Sequence, residues 1–100
     1  GKPNLNWIGF ELMGRQSNRE GIGSRIEIES NGDKQTQFVS MGGSYLSSND
    51  KRVLFGLNKN QLIDRLTIQW PSGLLAVFEN IEANHYYIIE EGGKPSILHY

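Results

Sequence analysis

The stretch RIEIESNGDKQTQFV, residues 25–39, decides the fold. Ile26 and Ile28 alternate with Arg25, Glu27 and Glu29, and from Gln35 to Met41 Thr36 and Phe38 alternate with Gln37 and Val39. Successive side chains of a strand point to opposite faces, so this period of two marks strands, the Ile26–Ile28 run a half-buried one. Between the two runs stands Asn31-Gly32-Asp33-Lys34. An Asn-Gly pair readily takes the left-handed backbone of a two-residue hairpin turn, and the stretch predicts a β-hairpin that reverses there.

The same period extends in both directions. Upstream, Ile8, Phe10 and Leu12 alternate with Trp7, Gly9 and Glu11. Downstream, Val53 to Leu57 is a short apolar run broken by Gly56, Leu66 to Trp70 alternates, and Leu74 to Phe78 follows. Pro71 suits the second position of a turn and Gly73 the fourth, so Trp70-Pro71-Ser72-Gly73 predicts a tight reversal between paired strands. His85 to Glu90 is rich in β-branched and aromatic residues and predicts another strand. Gly92-Gly93-Lys94-Pro95 punctuates it, leaving 92–100 as a final edge strand or a linker. Only Asn60 to Asp64 suggests a helical turn. Seven or eight short strands with regularly spaced turns predict an all-β fold, an antiparallel β-sandwich or barrel-like module.

Composition bounds the function. A chain of 100 residues is one domain's worth and can bury roughly two-thirds of its unfolded surface. Lys+Arg 10 against Asp+Glu 11, with no basic stripe, argues against nucleic acid as a partner. The absence of cysteine removes disulfides, thiolate metal sites and cysteine nucleophiles. The longest apolar runs, such as Gly73 to Phe78, fall far short of the roughly 18 residues of a membrane span. The chain opens on Gly1, which points to an excised or processed piece whose targeting segment is unread.

No catalytic constellation stands out. Glu27 and Glu29 share one strand face about 6.5–7 Å apart, a spacing within the range of an inverting glycosidase pair, but carboxylates on the outward side of an amphipathic strand are ordinary solvated groups. His85, Asp64 and the serines lack a nucleophile elbow. His85 and His99 alone make a poor zinc set, so no metal or other cofactor is assigned, with calcium retained only for the oxygens of Asn31-Gly32-Asp33 and Ser48-Asn49-Asp50, which are also ordinary turn residues. Gly21-x-Gly23 leads into a strand and not a helix, which disfavours a nucleotide site.

The loop SNREGIGSR, residues 17–25, concentrates hydrogen-bonding groups around Ile22. Gly21 and Gly23 are expected in backbone conformations closed to other residues, with Asn18 and Arg19 satisfying exposed carbonyls. Arg19, with five donors in a rigid fork, is expected to tie several carbonyls or a carboxylate. The rival reading places Arg19, Arg25, Tyr45 and Trp70 on a rim that receives a carbohydrate or an acidic peptide. Trp7, Tyr45, Trp70, Tyr86, Tyr87 and Tyr100 offer a stacking platform if several share one face, and core filling otherwise.

Four segments occur in order: NWIGFELMGRQSNREGIGSRIEIES (6–30), GGSYLSSNDKRVLFGL (42–57), IDRLTIQWPSG (63–73) and NIEANHYYIIEE (80–91). Together they resemble the ASPIC/UnbV domain, a module that follows FG-GAP or VCBS β-propeller repeats in secreted proteins. The resemblance spans about Asn6 to Glu91, so residues 1–91 are assigned to the domain, and its motifs put Gly42, Gly43, Tyr45, Trp70, Pro71 and Gly73 beside the loop residues as structural or binding candidates. Three positions depart from the pattern: Ser24 stands where alanine is more common, Ser44 where a third glycine is, and Asn58 where a glycine closes the Phe-Gly-Leu segment. The resemblance implies a non-catalytic accessory module of an extracellular, cell-surface or periplasmic protein, which packs against neighbouring domains or contributes to adhesion. Carbohydrate binding is the alternative, with a glycan or an extracellular protein as further partner, and a glycan or ester hydrolase is the reading of least weight.

Overall fold

A computed structural model describes residues 5–40 and 52–98. Among them are eight strands and no helix: β1 (Asn6–Met13), β2 (Arg25–Ser30), β3 (Asp33–Phe38), β4 (Val53–Asn58), β5 (Leu62–Gln69), β6 (Leu75–Glu82), β7 (Tyr86–Glu90) and β8 (Ser96–Ile97). They form two sheets of four, ordered β4-β1-β7-β8 and β3-β2-β5-β6, packed as a β-sandwich. The hairpin falls where the sequence puts it. Asn31 and Gly32 both take positive φ, at 51° and 85°, and Arg25 lies opposite Phe38.

Two expectations are corrected. The sandwich is not wholly antiparallel, because β1 and β7 run parallel, with Phe10 opposite Tyr87 and Leu12 opposite Ile89. The helical turn over Asn60–Asp64 is absent. Asn58 turns left-handed at φ 53°, Asn60 donates to the Leu57 carbonyl at 2.9 Å, and β5 begins at Leu62. Asparagine is among the few non-glycine residues that visit this region readily, which accounts for its place at 58.

The core is the sum of the inward alternations. Ile8, Phe10 and Leu12 of β1, Val53, Phe55 and Leu57 of β4, and Tyr87 and Ile89 of β7 face Ile26, Ile28, Leu66 and Ile68 of the second sheet. In β5 and β6 the alternation changes phase where the Asp64–Asn80 pair drops out of the ladder. Asn80 is left-handed there (φ 56°), and Ile63 and Ile81 turn inward. The Tyr87 hydroxyl donates to the Glu82 carbonyl at 2.7 Å; burial and then the Glu82 charge raise its pKa and keep it a neutral donor.

One flank of the sandwich is closed by side chains. Gln35 and Gln37 of β3 lie opposite the inward-facing Ile28 and Ile26. Their amides reach across to the other sheet and donate to the Gly56 and Leu54 carbonyls of β4 at 2.7 and 2.6 Å. An edge strand leaves a row of backbone groups unpaired, and these glutamines satisfy two of them.

Candidate functional site

The chemistry gathers at the end of the sandwich where β1 and β7 finish side by side. Beyond Met13 the chain makes a tight loop in which Gly14 N–H donates to the Arg19 carbonyl at 2.9 Å and Gly21 N–H to that of Asn18 at 3.0 Å. A side chain at Gly14 would overlap the Asn18 carbonyl. Asn18 completes the loop as the sequence suggests: its Nδ2 donates to the Ile22 carbonyl at 2.8 Å and its Oδ1 accepts from Ile22 N–H at 2.7 Å. Gly21 and Gly23 are left-handed at φ 69° and 95°. Gly23 N–H and Val39 C=O bond at 2.8 Å, which docks the loop on the residue after β3.

The anchor of this end is Glu91, immediately after β7 and only 7% exposed. One carboxylate oxygen accepts from the backbone N–H groups of Arg15 (2.7 Å) and Ser17 (2.8 Å). The other accepts from the Ser17 hydroxyl at 3.0 Å and from the Ser72 hydroxyl. Ser72 N–H donates in turn to Ser17 Oγ at 3.0 Å. One carboxylate therefore ties three segments: the loop after β1, the Trp70-Pro71-Ser72-Gly73 reversal and the end of β7. Burial alone would raise its pKa, but the donors from Ser72, Ser17 and Arg15 outweigh it and hold the pKa down at about 2. With four donors on its two oxygens, Glu91 is an ionised acceptor at neutral pH.

The reversal itself is as read. Gly73 N–H donates to the Trp70 carbonyl at 2.8 Å and Gly73 takes φ 101°. Trp70, however, is a core residue, 2% exposed, and cannot line a rim. Its indole N–H and the Ser24 hydroxyl are buried polar atoms without a partner. Arg19 is also corrected. Its side chain is exposed and makes no hydrogen bond or ion pair among the described residues; the carbonyl ties expected of it are made by Asn18, and the carboxylate tie is made by backbone and serine donors on Glu91. Arg15 pairs outside the clamp with Glu90, through Nε at 2.6 Å and a terminal nitrogen.

Met13, Gly14, Arg15, Ser17, Arg19 and Glu90 line an open depression of about 470 Å³. Arg25 does not line it; Arg25 lies on the outer face of β2, between Phe38 and Gln69. Gly42, Gly43, Tyr45, the Ser48-Asn49-Asp50 oxygens, His99 and Tyr100 lie outside the described residues. Asn31-Gly32 is the hairpin turn, where Asn31 N–H donates to Asp64 Oδ2 at 3.0 Å. No cluster of three or more potential metal-ligating side chains occurs among the described residues.

The aromatics divide. Tyr87 is core, stacked near Phe10. Trp7 and Tyr86 share the outer face of the first sheet with ring centroids 4.8 Å apart. Tyr86 lies over Gly9, where a side chain would overlap the ring, and the Arg52 guanidinium sits 4.5 Å from the Tyr86 centroid. The ring is half-buried, packed against Gly9, Trp7 and Arg52.

A two-sheet β domain closed at one end by a buried carboxylate clamp defines the class. The model of the family ASPIC and UnbV matches residues 14–96, and the chain belongs to that family. No curated protein and no solved structure matches it significantly.

Proposed function

We infer that this domain is a non-catalytic contact module of a larger secreted, cell-surface or periplasmic protein, packing against neighbouring, propeller-type domains or contributing to adhesion. The state of Glu91 carries this reading. A general acid or base needs a pKa tuned toward its working pH and a free face toward substrate. Glu91 is displaced the other way, and its acceptor capacity is filled by Arg15, Ser17 and Ser72. This polar constellation, the densest among the described residues, is thus directed at holding loops rather than at a reacting bond. The carbohydrate alternative loses Trp70, which lies in the core, and keeps only the half-buried Trp7–Tyr86 pair.

Turnover assays on chromogenic glycosides and esters are expected to stay at the buffer rate. Turnover that disappears in Glu91→Gln would overturn the reading. On a glycan array the chain is expected to retain nothing; retention lost in a folded Trp7→Ala variant would instead promote the sugar reading.

A further inference from the structure

The register of the second sheet sets its outward side chains in rows that run across β3, β2, β5 and β6. One row, Lys34-Glu29-Arg65-Glu79, alternates in charge along its whole length. The next outward row starts at Thr36 and ends at Val77, and the one after it starts at Phe38 and ends at Leu75. Phe38, Leu75 and Val77 are 63%, 56% and 49% exposed, although the apolar side chains of a sheet are ordinarily turned inward. Within the charged row Arg65 and Glu29 meet at 3.8 Å, while Lys34 and Glu79 at its two ends have no hydrogen bond or ion pair among the described residues.

We propose that this face pairs with the same face of a second copy, about a two-fold axis that lies between the two sheets and runs parallel to their strands. Such an axis keeps each row in place and reverses its order, so that β3 faces the second copy's β6 and β2 faces its β5. Lys34 then faces Glu79, and Glu29 faces Arg65, each contact occurring twice. In the same operation Phe38 faces Leu75 and Thr36 faces Val77. Between them Glu27 meets the hydroxyl donor of Thr67, and Arg25 meets the amide of Gln69. No like charges face one another. The other axis in this plane, across the strands, sets Lys34 against Phe38 and Glu79 against Leu75, which leaves charge on apolar groups. Sheets packed face to face keep their strands within about 30° of each other, an angle the first axis permits. A row whose charges alternate from positive to negative is its own complement under that axis, which is why the occupant is a second copy. Self-pairing of this face does not depend on the contact-module reading, since enzymatic turnover would sink that reading and leave the face untouched.

The rows hold fewer residues than the roughly 20–30 a side of a standard stable interface, so a weak dimer is expected, with a dissociation constant of about 0.1–1 mM. Sedimentation equilibrium at millimolar concentration is expected to show it, with ¹⁵N amide shifts on dilution centred on Lys34–Phe38 and Leu75–Glu79. Lys34→Glu alone and Glu79→Lys alone each bring like charges together twice, and each is expected to weaken association by about tenfold or more. Mixed in equal amounts, the two variants regain both contacts and are expected to associate with each other as tightly as the parent chain does with itself. A role confined to one chain gives no such rescue, and both side chains are exposed, so the test does not touch the core. A chain that stays monomeric at millimolar concentration, which would leave the face to a neighbouring domain, would overturn the proposal. So would a dimer that neither variant weakens, or a mixture that associates no better than its components.

Discussion

Glu91 follows another glutamate, and alternation decides between them. Tyr87, Ile89 and Glu91 share the inward phase of β7, whereas Glu90 shares the outward phase of Tyr86 and Ile88 and meets Arg15 in solvent. That phase is a signal in the sequence, but an acid at the end of an apolar alternation reads as a solvated strand end, and its donors come from 19 to 76 residues away. The sequence therefore points to Arg19, which has the donors, and misses the acid that collects them. The pKa of Glu91 is lowered in the fold, so its stabilising effect is complete above the ordinary carboxylate pKa of about 4.5 and is lost as pH falls toward about 2. Thermal melts are expected to show stability dropping through that window in the wild type, with a smaller drop in Glu91→Gln and a lower melting temperature at neutral pH. Arg19→Ala is expected to change the urea-derived stability by no more than about 0.5 kcal/mol, because an exposed side chain without partners has little to lose. Ser24→Ala removes a fully buried hydroxyl that has no partner, and is expected to stabilise by about 1 kcal/mol.

At the scale of elements, what the sequence states locally is what it states well. The Asn31-Gly32 hairpin and the Trp70-Pro71-Ser72-Gly73 reversal each lie within a few residues, and their backbone requirements are written in asparagine, proline and glycine. The parallel contact of β1 with β7 joins residues some 77 apart, and no local pattern encodes it. The same holds for the glutamines of β3, whose β4 carbonyl partners come within reach only when the two sheets pack. Replacing Gln35 and Gln37 together by alanine is expected to cost about 1–3 kcal/mol, from two hydrogen bonds of about 0.5–1.5 kcal/mol each. Amide exchange is expected to speed up across β4 and to stay unchanged in β6. Faster exchange in β6 would mean that the two flanks are not independent.

For the whole molecule, the sandwich and its end clamp form one unit. Trp70 fills the core directly beside the reversal that carries Ser72, so the packing that buries the indole also places a donor on Glu91. Trp70→Ala is expected to cost about 3–5 kcal/mol in denaturant melts, as removal of a large buried aromatic does. Closed at one end and on one flank, the sandwich has β6 as its long edge strand among the described residues. The claim beneath this is that Glu91 is a charged structural anchor. Following its side-chain carboxyl ¹³C shift through an acid titration should give a midpoint near 2; a midpoint at or above 4.5 would show a carboxylate that is not held by its neighbours, and would contradict the clamp.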